Sequence, residues 1–145
     1  MIGDRPGLVL AYSGQIANVR IKKAMAQHGL KPAHGHVLLL LSEQGARSQQ
    51  SLAETLGVDP SVLVAILNDL ESDELAVRRR DPADRRRHIV EISARGKQLV
   101  TEIQTAIAAV EATLFADLDA DEIATLHRLL ARVSTSPDDD ACTED

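Results

Sequence analysis

The chain has 145 residues, 44% of them apolar, with one Phe, one Tyr, no Trp and a single cysteine, Cys142. That size suits one domain with an aliphatic core of Leu, Ile, Val and Ala, a composition that leans towards helix; the lone cysteine excludes a disulfide within the chain. Net charge is −6, which at first argues against a nucleic-acid partner.

The distribution of charge reverses that impression. Residues 78–97 hold eight of the sixteen basic residues (Arg78, Arg79, Arg80, Arg85, Arg86, Arg87, Arg95, Lys97) and three acids (Asp81, Asp84, Glu91). The local balance is 8 − 3 = +5, so the remainder carries −11, and such segregation points to a partner. The longest clear apolar run, Val37 to Leu41, is far short of a membrane span, and no basic leader precedes an apolar stretch at the N-terminus. The expectation is a cytoplasmic protein without a membrane partner.

The spacing of Leu8, Tyr12, Ile16, Val19 and Ala26 predicts a first helix over about 7–29, stopped by Gly29. Pro32 separates it from a short, very apolar second helix, His34 to Glu43, that Gly45 ends. Ser48 is a good N-cap for a third helix with Leu52 and Leu56 inward and Gly57 closing it. Asp59 then caps a fourth helix, Pro60 takes its first position, and Val62, Leu63, Ile66, Leu67 and Leu70 form its apolar stripe to about Ser72. Ala76–Arg80 and His88–Ile92 read as two strands of a hairpin around Asp81-Pro82-Ala83-Asp84. Ser93 caps a long fifth helix ending near Ala116, with Leu99, Ile103, Ile107, Val110 and Leu114 apolar. Asp119 and Glu122 form a capping box for the last helix, whose buried face is expected at Ile123, Leu126, Leu129, Leu130 and Val133. An acidic tail over about 135–145 is expected to be disordered.

Helix, four-residue turn, helix, then a basic hairpin is the order of a winged helix-turn-helix. The fold class is therefore mainly α with a small β-hairpin wing. The predicted groove face of the fourth helix carries Ser61, Val64, Ala65 and Asn68; Asn68 can hydrogen-bond a base, and Val64 or Ala65 can touch a thymine methyl. Ser48, Gln49 and Gln50 at the start of the third helix are placed to reach phosphates. Arg85, Arg86 and Arg87 suit the negative potential of a minor groove. Asp84 should be repelled by phosphate, and a bidentate pair with Arg86 that fixes the arginine's direction would explain it.

The stretches Ser51-Leu52-Ala53-Glu54-Thr55-Leu56-Gly57-Val58-Asp59-Pro60-Ser61, Leu67-Asn68-Asp69-Leu70-Glu71 and Arg79-Arg80-Asp81-Pro82-Ala83-Asp84-Arg85-Arg86-Arg87-His88 resemble the MarR family of transcription regulators. Asp84 and Arg86 look like that family's wing signature. The resemblance implies a homodimer held by helices 7–29 and 94–134, a DNA-binding lobe over 33–92, the fourth helix in the major groove and a wing arginine in the minor groove. It implies double-stranded DNA as partner and a small aromatic or phenolic ligand that releases it. The expected activity is that of a repressor on a pseudo-palindromic operator. The chain departs from many relatives in having no Arg or Lys from Ser61 to Asn68, which shifts weight to the wing and to DNA shape.

Other readings are weaker. A winged helix can bind protein instead of DNA, and the bare groove face is compatible with that alternative. His34 and His36, two apart, do not face each other on a helix, and His28, His88 and His127 are scattered, so no metal site and no cofactor are expected. Cys142 lies among acids that disfavour a thiolate. No nucleophile elbow or phosphate loop marks an enzyme.

Overall fold

The computed structural model of the chain describes residues 2–133. The expected acidic tail and Cys142 lie outside the described residues. The chain divides into two compact units, residues up to Val110 and residues from Glu111 onward.

In the first unit a short 3-10 turn, Ile2–Asp4, precedes α1 (Pro6–Gln27). Pro6 occupies the first turn of α1, where an N–H would have no partner. Gly29, at φ 73°, turns the chain into α2 (Pro32–Gln44), which also begins on a proline. A two-residue strand, β1 (Arg47–Ser48), leads into α3 (Gln49–Leu56). Ser48 caps α3 by accepting from the Ser51 N–H at 3.1 Å, and Gly57 ends it at φ 64°. Asp59 caps α4 (Pro60–Ser72) through the Ser61 N–H at 2.9 Å.

The strands β2 (Ala76–Arg80) and β3 (His88–Ile92) follow. They pair antiparallel with Arg78 opposite Val90, and β1 adds to the other edge of β3 with Ser48 opposite Ile89. The sheet thus has three strands in the order β1-β3-β2 where the sequence predicts a two-stranded hairpin. Two residues carry no period for a pattern to detect, and the β1 partner lies some forty residues away.

Ser93 caps α5 (Ala94–Leu114) through the Gly96 N–H at 3.0 Å, and its hydroxyl donates to the Glu74 carbonyl at 2.7 Å. The Ser93 N–H donates to the Leu75 carbonyl at 3.0 Å. These bonds join the start of α5 to the base of the wing.

The core of this unit is aliphatic, as composition requires. Leu38, Leu41, Leu52, Leu63, Leu67 and Val90 are among its fully buried side chains, joined by Val100 and Ile103 of α5. Each such leucine contributes roughly 1.5–3 kcal/mol by leaving water. Val62 is a correction: read as core from its spacing, it is 48% exposed. It lies at the edge of the apolar arc of α4, and the packing covers only the arc centred on Leu63, Ile66, Leu67 and Leu70. α1 is exposed along Leu8, Tyr12 and Val19 and buries only Ala24 and Met25.

The second unit contains the end of α5 and α6 (Ala120–Leu130). Asp119 and Glu122 form the expected capping box, with bonds of 2.8 and 3.0 Å. The face of α6 expected to be buried is not covered within the single chain. No α6 residue is buried; Leu129, Leu130 and Val133 are exposed, and Ile123 and Leu126 are half-buried.

Candidate nucleic-acid interface

On α4 the residues Pro60, Ser61, Val62, Ala65, Asn68, Asp69 and Ser72 are exposed, whereas Val64 is half-buried. Of the four residues expected on a groove face, three are therefore fully presented, and Val62 joins them. The side chains of Ser61, Asn68 and Asp69 are already bonded within the chain. The Ser61 hydroxyl donates to Asp59 Oδ1 at 2.7 Å, so Asp59 accepts from both the backbone and the side chain of Ser61. These bonds hold the Asp59 carboxyl below its ordinary value. His34 on α2 places Nε2 2.8 Å from Asp69 Oδ2 and is itself largely covered, with 14% of its side chain exposed. Because a carboxylate only accepts, Nε2 carries the proton in this contact. His34 is thus an α2–α4 tie; Nδ1 on its other side is buried without a partner.

Asn68 receives the third bond. Arg78 of β2 donates from Nη2 to Asn68 Oδ1 at 2.6 Å and to Glu71 Oε2 at 2.9 Å. An arginine has no acceptor, so the carboxamide must turn its oxygen to Arg78 and keep its two N–H donors for solvent. The groove face, with no basic residue of its own, therefore borrows one from the wing. Sequence reasoning counted Arg78 only as charge. A signal was present: strand alternation places Arg78 on the same side as the buried Ala76, turned towards α4.

The wing arginines divide into two groups. Arg78 pairs with Glu71 and Arg79 with Glu91 at 2.8 Å, and both stay on the protein. Among the described residues, the side chains of Arg80, Arg85, Arg86 and Arg87 have no hydrogen-bond or ion-pair partner. All four residues are exposed.

The bidentate pair expected between Asp84 and the Arg86 guanidinium is replaced by a turn. Asp84 Oδ1 accepts from the Arg86 backbone N–H at 3.1 Å, and the Asp84 carbonyl accepts from the Arg87 N–H at 2.9 Å. An Asx turn of this kind satisfies the chain locally, which outcompetes a solvent-exposed ion pair of small worth. Asp81 does the same one step earlier, accepting from the Ala83 N–H at 2.9 Å. Asp84 thus shapes the turn that carries Arg85, Arg86 and Arg87 and leaves their heads free.

The start of α3 and the wing meet. A cleft of about 630 Å³ has Ser48, Gln49, Gln50, Pro60, Arg86 and Arg87 on its walls. The pairing of β1 with β3 causes this proximity, so the missed strand is what brings the candidate phosphate contacts together. Within the cleft the Ser48 hydroxyl is used as a helix cap, and Gln49 Oε1 is buried without a partner. Arg47 is anchored away from it, on Gln44, Ser51 and Thr55. Among the described residues no group of three His, Cys, Asp or Glu side chains could hold a metal ion, and no helix is long and apolar enough to cross a membrane.

Comparison with known proteins agrees with this geometry. The model of the MarR family matches residues 28–87, the helix-turn-helix and most of the wing. A transcriptional regulatory protein for the hcr operon of Thauera aromatica is 32% identical over 122 residues, 83% of this chain and 74% of the relative. Among solved structures, the transcriptional repressor CouR bound to a 23-mer DNA duplex superposes with a TM-score of 0.77 at 32% identity, covering 89% of this chain and 92% of CouR. CouR from Rhodococcus jostii RHA1 bound to p-coumaroyl-CoA superposes with a TM-score of 0.76 at 26% identity, covering 95% and 97% of the two chains. With its recognition helix, its arginine-bearing wing and its likeness to these regulators along most of its length, the chain belongs to the MarR family of DNA-binding transcriptional regulators.

Proposed function

We propose that this chain is a homodimeric, ligand-responsive repressor that binds a pseudo-palindromic operator, acting in the cytoplasm as a binding protein and not as an enzyme. The observation that carries the reading is the set of free guanidinium groups at Arg85, Arg86 and Arg87, held by the Asp84 turn beside the exposed face of α4. In this reading α4 lies in the major groove, Arg86 enters the minor groove, and Arg85, Arg87, Gln49 and Gln50 meet phosphates, with Ser48 supporting the α3 start. Dimerisation assigns α1, α5 and α6 to a second copy. The exposed Leu8, Leu10, Tyr12 and Val19 of α1, and Leu129, Leu130 and Val133 at and beyond the end of α6, support this assignment, since they are more apolar surface than a lone small domain should leave in water. Two-fold symmetry then places half-sites about one helical turn, roughly 10 bp, apart. The ligand class is small aromatic or phenolic, by analogy with the p-coumaroyl-CoA complex of CouR.

Fluorescence anisotropy with the duplex upstream of its own gene tests the reading at several salt concentrations. Binding that weakens steeply with salt is expected. No binding at low salt, or a monomer in analytical ultracentrifugation at micromolar concentration, overturns the DNA-binding or the dimeric part respectively.

A further inference from the structure

Three polar side chains on the exposed side of α4, those of Ser61, Asn68 and Asp69, are occupied from within the chain, whereas Val62 and Ala65 stand bare. The Ser61 hydroxyl donates to Asp59 Oδ1, Asn68 Oδ1 accepts from Arg78, and Asp69 Oδ2 accepts from His34. Val62 is 48% exposed in the first turn of the helix, and Ala65 is exposed one turn further on. No arginine or lysine rises between them, so their methyl groups can come close to whatever the helix faces.

We propose that Val62, with Ala65 beside it, is the specificity-determining element of α4 and reads the C5-methyl groups of thymine. This rests on the reading of α4 as the helix that enters the major groove. The occupant is DNA because the cleft beside this face carries Arg86 and Arg87, which complement phosphate, and because an apolar patch in a major groove has one apolar feature to meet. Thymine is the only common base that presents a methyl group there; cytosine, adenine and guanine present only donors, acceptors or C–H. Asn68 keeps its carboxamide NH2 group, with two N–H donors, and can address an acceptor such as a purine N7. Readout by this helix is therefore mostly the contact of methyl on methyl, with the Asn68 NH2 group as its polar complement.

The test replaces thymine by uracil, which removes the methyl group and leaves every hydrogen-bonding atom in place. The full chain first selects its preferred duplex from a pool with a random centre. That duplex is then remade with deoxyuridine at each thymine of one half-site in turn. Loss of one buried methyl should weaken binding about fourfold at one or two positions and leave the others unchanged. Val62→Ala, a change at a half-exposed position that leaves the core intact, should bind the thymine and uracil duplexes within about twofold of each other. Equal affinity of the wild-type chain for thymine and uracil at every position overturns the inference, as does a uracil penalty that persists undiminished in Val62→Ala. In both cases the protein still binds DNA, so the reading beneath survives. Failure to enrich or bind any duplex at low salt overturns that reading, and this inference with it.

Discussion

Glu71 chelates Arg78: its Oε1 accepts from the Arg78 backbone N–H at 2.8 Å and its Oε2 from the guanidinium at 2.9 Å. The pair ties α4 to the first strand of the wing, and the same guanidinium reaches on to Asn68. The Arg78 side-chain bond is the main reason that the Glu71 carboxyl sits below its ordinary value of 4.5. A carboxyl with a lowered folded pKa contributes stability that is complete above the unfolded value and disappears as pH falls through the folded one. Urea denaturation of Glu71→Gln should therefore show a loss of about 1 kcal/mol near neutral pH, allowing for the 33% of the side chain that water reaches. The difference from wild type should shrink below pH 4.5. A difference that is flat with pH would mean that the carboxylate charge plays no part.

That tie also marks the boundary of what can be read in the sequence. Caps and stops were legible, because Ser48, Asp59, Ser93 and Asp119 act on N–H groups two or three residues away, and Gly57 answers a local demand for positive φ. The helix-turn-helix and the wing followed from them. Relationships set by packing were not legible. Val62 has the same spacing as its buried neighbours, and only the placement of α4 against the other elements decides that it stays in water. The Arg78–Asn68 contact joins residues from different elements. Asp84 was matched to a guanidinium by charge, while the backbone N–H two residues ahead was nearer. The apolar positions of α1 and α6 are visible as patterns in the sequence, and the single chain leaves Leu8, Tyr12, Val19, Leu129 and Leu130 exposed.

Glu74 is the one non-glycine residue at positive φ, 60°, among the described residues. A side chain there costs about 1 kcal/mol or more, which glycine avoids. Its carbonyl bond from Ser93 survives substitution, and its ion pair with Arg95, at 3.4 Å, is largely solvated and contributes little. Glu74→Gly should raise stability by about 0.5–1 kcal/mol after the glycine's extra chain entropy is counted. Glu74→Ala keeps the strained backbone and should gain nothing in the same thermal melt.

Three helical glycines should respond differently to alanine. At Gly96 an added Cβ would stand 2.2 Å from the Leu75 carbonyl oxygen and 2.7 Å from Ile92 Cγ1, where α5 starts against the wing. The backbone must move, so Gly96→Ala should cost about 2 kcal/mol or more. At Gly35 the nearest atom is the mobile end of Met25, which can swing aside, and the cost should be smaller. Gly14 in α1 has nothing within 4 Å, so Gly14→Ala should stabilise by about 0.5–1 kcal/mol through helix propensity. Denaturant midpoints of the three variants give the order; a Gly96→Ala chain as stable as wild type would refute the close approach of α5 to Leu75.

In the proposed DNA-binding reading, the Asp84 turn and the Arg86 head should make separable contributions. Asp84 acts through an oxygen that accepts from the Arg86 N–H at 3.1 Å, and asparagine offers the same oxygen without the charge. Asp84→Asn should therefore bind DNA at least as well as wild type, because a negative charge beside phosphate is also removed. Asp84→Ala loses the acceptor, loosens the turn and should weaken binding several-fold, on the order of the 1 kcal/mol of one hydrogen bond. Arg86→Ala keeps the turn and removes the free guanidinium. It should cost about 1–3 kcal/mol and make the dependence on log salt shallower by roughly one unit. Anisotropy titrations of the three variants over a salt series distinguish these effects. Should Asp84→Asn lose as much as Asp84→Ala, the carboxylate charge itself would be required, and a pairing of Asp84 with a wing arginine in the DNA-bound state would have to replace the turn as its role.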